Sequence, residues 1–120
     1  MGVSSLGRGA EERAARFLES AGFHILARNF RTRLGEIDLV ADDGDTVVLV
    51  EVKYRSDENF APVEEALTAS KRKKLWKAGR VAAMRFGENK KIRFDFIAMI
   101  GPAENPQVRH YQNVLDGDDL

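Results

Sequence analysis

Residues 35–55 read GEIDLVADDGDTVVLVEVKYR, with two apolar runs, Ile37 to Ala41 and Thr46 to Val52, on either side of Asp42-Asp43-Gly44-Asp45. Asp and Gly tolerate the left-handed backbone of tight turns, so the stretch predicts an antiparallel β-hairpin. A two-residue loop at Asp43-Gly44 and a four-residue loop from Asp42 to Asp45 give one register: Asp42 faces Asp45, Asp38 faces Leu49, and Glu36 faces Glu51. Alternation then sends Glu36, Asp38, Leu49, Glu51 and Lys53 to one side, and Ile37, Leu39, Val48, Val50 and Val52 to the other.

Three carboxylates and one ammonium on one face call for an offset. Directly opposed Cβ atoms lie roughly 4.5–5.5 Å apart and diagonal ones about 7–8 Å, close enough for like charges to repel. Protonation, the neighbouring Lys53, or a divalent cation with oxygen ligands would relieve the strain. The last option carries chemistry. Mg²⁺ or Mn²⁺ held by Asp38 and Glu51 would neutralise charge developing on a phosphate, and Lys53 beside it would position a nucleophile or stabilise the transition state.

A chain of 120 residues is expected to make one domain, spanning 1–115, followed by an acidic flexible tail at 116–120. Basic and acidic residues both number 19, so net charge alone gives no argument for a polyanionic partner. Their distribution does: from Lys71 to Arg93 there are ten basic residues against one acid, Glu88. Cysteine is absent, which excludes disulfides and thiolate metal sites. No stretch approaches the ~20 apolar residues of a membrane span, no signal-type run opens the chain, and a cytoplasmic protein without membrane association is expected.

Along the chain, the spacing predicts a helix from Ser4 or Ser5, as cap, to about Ala21, stopped by Gly22. Its apolar stripe is Ala10, Ala14, Phe17, Leu18 and Ala21, and Glu11 falls about 20° from Leu18 on the inner side. Glu11 is either a boundary residue paired with Arg8 or Arg33 or an extra ligand. Phe23 to Phe30 reads as the first strand; the lone His24 is no ligand, and Asn29 is a candidate to pin the following loop through its amide. Pro62 opens a short helix to Leu67. Thr68 or Ser70 then caps a longer one to about Phe86, with Leu75, Ala78, Gly79, Ala82 and Phe86 buried. Lys71 projects within about 40° of that stripe, either as a surface lysine or as a reach into the carboxylate cluster. Lys73, Lys77 and Arg80 form the outward row, flanked by Arg72 and Lys74, as a candidate nucleic-acid-binding face, and Trp76 points outward beside them. Ile92 to Ile100 is a strand with Phe94, Phe96 and Ala98 on one face and Asp95 on the other; Val108 to Leu115 is a short helix or an edge strand.

Asp38 followed by Glu51-Val52-Lys53 resembles the D…ExK signature of the PD-(D/E)XK, or restriction-endonuclease-like, nucleases. Arg28-Asn29-Phe30, Gly35 to Leu39, Val50 to Arg55 and Arg93-Phe94-Asp95 resemble, in order, the blocks of the bacterial YraN family of predicted nucleases, similar to Holliday-junction resolvases. Glu11 matches the family's helix-one glutamate, although Ala10 replaces the usual preceding glycine, and Lys71 matches a position where related resolvases carry a polar residue. The resemblance implies an α/β fold with an αβββαβ core, one mixed sheet flanked by helices. It further implies a metal-dependent endonuclease for DNA rather than RNA, branched or structured. Asp38, Glu51 and the Val52 carbonyl would hold Mg²⁺ or Mn²⁺, with Lys53 catalytic and Glu11, Glu36 and Lys71 auxiliary. A homodimer, as resolvases form, and other DNA-processing proteins are the partners it suggests. The alternative is a non-catalytic nucleic-acid-binding module that keeps the fold.

Overall fold

The computed structural model describes residues 2–115. Helix α1 (Gly2–Ser20) leads into strands β1 (His24–Thr32), β2 (Gly35–Asp42) and β3 (Thr46–Arg55). A 3-10 turn (Val63–Ala66) and helix α2 (Ala69–Phe86) follow, then β4 (Lys91–Ile100) and β5 (Gln107–Tyr111). The five strands form one sheet in chain order. All neighbours are antiparallel except β3 and β4, which α2 joins as a parallel pair, so the sheet is mixed. The α/β fold expected from the element order is the one observed.

The two helices cover opposite faces. On one, Ala10, Ala14, Ala15 and Leu18 of α1 bury against Leu39, Ala41, Val48, Val50, Ile97 and Met99. On the other, Leu75, Ala78 and Ala82 of α2 pack over Val40, Leu49, Phe94, Phe96 and Ala98. Small residues on both helices let them lie close to a sheet of branched side chains. Gly22, at φ +96°, ends α1: its N–H donates to the Glu19 carbonyl and that of Phe23 to the Leu18 carbonyl, the double bond of a left-handed helix stop. Thr68 caps α2, its side-chain oxygen accepting from the Lys71 N–H at 3.2 Å.

Several expectations need correction. The β2–β3 register is offset from the expected one: Asp42 pairs with Val47, Val40 with Leu49 and Leu39 with Val50. The loop is Gly44-Asp45, because the Asp42 carboxylate accepts from the Gly44 N–H (2.8 Å), the Asp43 carboxylate accepts from the Thr46 N–H (3.0 Å), and Gly44 takes φ +115°. The offset leaves side-chain parity unchanged, so Asp38 and Glu51 still share a face, but Glu36 is not opposite Glu51. Ile37 departs from alternation and packs on the α2 side, where β2 turns away from β3. Ser4 and Ser5 lie inside α1 instead of capping it. Ala15 is fully buried where Ala21 and Phe17 were expected; Ala21 is exposed, and Phe17 lies at the rim of the helix, edge-on to the His110 ring. Trp76 does not face outward: it is half-buried and stacked on Phe94 with centroids 5.6 Å apart. Residues 108–111 belong to an edge strand, and the acidic tail at 116–120 lies outside the described residues.

Phe94 can lie flat on α2 only because residue 79 has no side chain; a Cβ there would sit 2.2 Å from Phe94 Cζ and 3.1 Å from Leu49 Cδ1. Gly79→Ala should therefore destabilise the protein by about 1–3 kcal/mol in urea unfolding, although alanine favours a helix by about 1 kcal/mol. Adding Phe94→Leu should recover part of the loss, and a Gly79→Ala variant as stable as wild type would contradict the packing described.

Candidate active site

The ladder between β2 and β3 stops at Leu39 and Val50, yet β1–β2 pairing continues to Thr32–Gly35 and β3–β4 pairing to Arg55–Ile100. Two neighbouring strands thus part in the middle of an otherwise continuous sheet. At the fork the next bond would run from the Val52 N–H to the carbonyl of Ile37. Asp38 takes it instead, its Oδ2 accepting from the Val52 N–H at 2.8 Å. A strand residue turns its N–H and C=O to the same side, so the Val52 carbonyl faces the same gap.

Glu51 stands beside Asp38 and is only 8% exposed. Lys71 reaches down from the first turn of α2 and brings Nζ to 3.0 Å from Glu51 Oε1. From the opposite face, α1 supplies Glu11. Asn29, in the left-handed region at φ +50°, places its amide between two acids: turned so that its nitrogen faces them, it lies 3.1 Å from Glu11 Oε1 and 3.3 Å from Glu36 Oε1. Asn is among the few residues that adopt this backbone at low cost. Glu11 is thus held by Asn29 and stands near Asp38, not paired with Arg33; the Arg8 side chain lies outside the described residues. Glu36 is more exposed, with Arg31 Nε 3.8 Å away.

Burial dominates the electrostatics of the acids. Glu51 is pushed up to about 7, first by burial and next by the charge of Asp38, with Lys71 working in the opposite direction. Asp38 is raised by burial against the lowering effects of the Val52 N–H, Glu51 and Lys71. Glu11 is raised by burial and by Asp38, and the Asn29 amide partly compensates. For Lys71 burial favours the neutral amine, but Glu51, Asp38 and Glu36 together outweigh it and raise its pKa.

Lys53, two residues beyond Glu51, is exposed and makes no hydrogen bond or ion pair among the described residues. Lys73, Lys74, Lys77 and Arg80 are exposed along α2, whereas Arg72 is half-buried and engaged in the structure. Asp95 lies elsewhere. Only 1% exposed, it accepts two 2.9 Å bonds from Arg93, one of 3.0 Å from the Asn113 N–H, and contacts His110 Nε2 at 2.7 Å. Burial alone would raise its pKa, but these partners hold it low, so Asp95 works as a structural knot joining β4 to β5. The role of Asn29 as a bridge between acids was beyond sequence reasoning; its only signal is an Asn interrupting a strand opposite Asp38.

Among the described residues no group of three or more His, Cys, Asp or Glu side chains is arranged to hold a metal ion. The fork does offer two carboxylates and a backbone carbonyl, an all-oxygen donor set that suits Mg²⁺ or Mn²⁺ with solvent completing the shell. Two neighbouring acids whose pKa values are both raised by burial, Glu51 also by the charge of Asp38, are the charge arrangement a divalent cation would relieve.

The chain matches the model of a family described as "Uncharacterised protein family UPF0102" over residues 10–99. A UPF0102 protein of Carboxydothermus hydrogenoformans is 40% identical over 117 residues, covering 97% of this chain and 99% of the relative. One from Persephonella marina is 34% identical over 113 residues, covering 93% and 94%. Among solved structures, Hjc of Archaeoglobus fulgidus, a Holliday junction resolvase, superposes with a TM-score of 0.50 at 19% identity, covering 85% of this chain and 72% of Hjc. That likeness is one of fold.

The raised acids make stability pH-dependent in a defined direction. A carboxyl with a folded pKa of about 7 and an ordinary value of 4.5 binds its proton more tightly in the folded state. Its contribution is therefore present below about 4.5 and is lost as pH rises through 7. Urea unfolding between pH 5 and 7.5 should show stability falling by on the order of 2–3 kcal/mol. Glu51→Gln should flatten most of that slope, and an unchanged slope would refute the burial and coupling of Glu51.

Proposed function

The chain belongs to the UPF0102 family, and on that footing we propose that it is a divalent-metal-dependent endonuclease that hydrolyses phosphodiester bonds in DNA. One observation carries the reading: half-buried Asp38 and buried Glu51 stand side by side where β2 and β3 part, two acids short of partners, with the exposed Lys53 two residues beyond Glu51 on β3. Asp38, Glu51 and the Val52 carbonyl would hold Mg²⁺ or Mn²⁺, which when bound would stabilise charge on the attacked phosphate. Asp38 is kept in place by the Val52 N–H, so the carboxylates need little reorganisation before reaction. Lys53 would orient the attacking water or meet charge at the phosphate, Glu11 and Glu36 would tune the acids from the α1 side, and Lys71 would do so from α2.

The exposed row Lys73, Lys74, Lys77 and Arg80 would follow a nucleic-acid backbone, with Arg72 bracing its start, and predicts salt-sensitive binding with little sequence preference. The resolvase-like fold favours branched DNA as substrate and a second copy of the chain as partner. No helix among the described residues is long and apolar enough to cross a membrane. A second reading, a binding module without cleavage, draws on the same basic row and on the Lys71–Glu51 pair that already offsets one acid.

With Mn²⁺, the full-length protein should cut branched DNA, and Lys53→Ala and Asp38→Asn should each lower the rate at least ~100-fold while leaving DNA binding measured without divalent cation within about twofold. Equal cutting by wild type and both variants would refute the assignment of the site. Binding without cleavage by wild type would favour the module.

A further inference from the structure

Helix α2 opens with charge opposed to its own dipole. Its first turn contains no acid, and Lys71, Arg72 and Lys73 follow one another near an end where unpaired N–H groups already concentrate positive charge. Local rules broken in this way tend to mark function. Lys71 is the residue of the three that turns onto the fork. Its backbone N–H is taken by the Thr68 cap, and its ammonium bonds Glu51 from a side chain still 45% exposed, whereas that of Glu51 is 10% exposed. The ammonium is therefore a solvent-connected cation resting on a buried anion. Lys53, exposed and without an ion pair among the described residues, offers Glu51 no replacement.

We propose that Lys71 is an exchangeable counter-ion that neutralises Glu51 in the free protein and passes to a DNA phosphate on substrate binding, coupling divalent-cation binding to phosphodiester binding. The proposal rests on the metal-dependent reading above and adds a control to the same site. An ammonium and a divalent cation a few ångströms apart compete for one carboxylate, so the ion binds weakly while Lys71 stays on Glu51. A phosphate approaching the α2 N-terminus meets Lys71 together with the exposed Lys73 and Lys74. The flexible four-carbon stem lets the ammonium turn to the phosphate without movement of the helix. Glu51 is then free for the divalent cation, and because coupling is reciprocal, the cation in turn tightens DNA binding.

The test is calorimetric titration of Mn²⁺ into the full-length protein, with and without a phosphorothioate-linked branched DNA that carries the charge and resists hydrolysis. Wild type should bind Mn²⁺ about tenfold more tightly with DNA than without. Lys71→Met should bind Mn²⁺ without DNA nearly as tightly as wild type does with it and lose the coupling, whereas Lys71→Arg should retain it. Lys71→Gln replaces the Met variant if that one unfolds, and Asp38→Asn, which should abolish the site, identifies where the ion sits. Equal DNA-free affinities for wild type and Lys71→Met, or coupling that survives in Lys71→Met, would overturn the counter-ion role and leave the metal reading standing. Absence of Mn²⁺ binding in every variant, with and without DNA, would overturn both.

Discussion

The site depends on one side chain standing in for a backbone group. By accepting the Val52 N–H, the Asp38 carboxylate makes the bond that the next rung of the β2–β3 ladder would have made, so the strands separate without leaving that donor unsatisfied. The separation places Glu51 next to Asp38 and sends Ile37 to the α2 side of the sheet. A carbonyl in the same place would have continued the ladder and closed the gap.

Three acids withdrawn from solvent show what distinguishes a fully partnered carboxylate from an under-partnered one here. Asp95 gathers bonds from Arg93, His110 and Asn113, and its pKa falls in spite of burial. Asp38 and Glu51 share fewer donors between them, and both are raised, first by burial and for Glu51 also by the charge of Asp38. The same physical cost of burying charge is met with enough partners in one place and too few in the other. Under-satisfaction, more than burial, is what makes the fork a candidate for chemistry.

Much of this was legible in the residues because alternation is tolerant. The observed hairpin register is offset from the expected one, but an offset that preserves parity keeps Asp38 and Glu51 on the one face they were expected to share, while Glu36 is no longer opposite Glu51. The offset itself depended on the Asp42 and Asp43 carboxylates bonding to the turn, which propensity does not register. Trp76 was misplaced because a helical wheel shows no neighbours, and although periodicity puts Gly79 on the buried stripe, it does not show that Phe94 comes close beneath it. Lys71 was visible as an angle on a wheel; only the packing of α2 beside β3 turned that angle into a contact with Glu51.

The fork collects side chains from both layers: Glu11 arrives through Asn29 from the α1 face, and Lys71 from the α2 face. A chain with its sheet formed and only one helix docked would lack half of the charge balance around Asp38 and Glu51. The charge arrangement at the fork is therefore complete only when both helices have docked on the sheet.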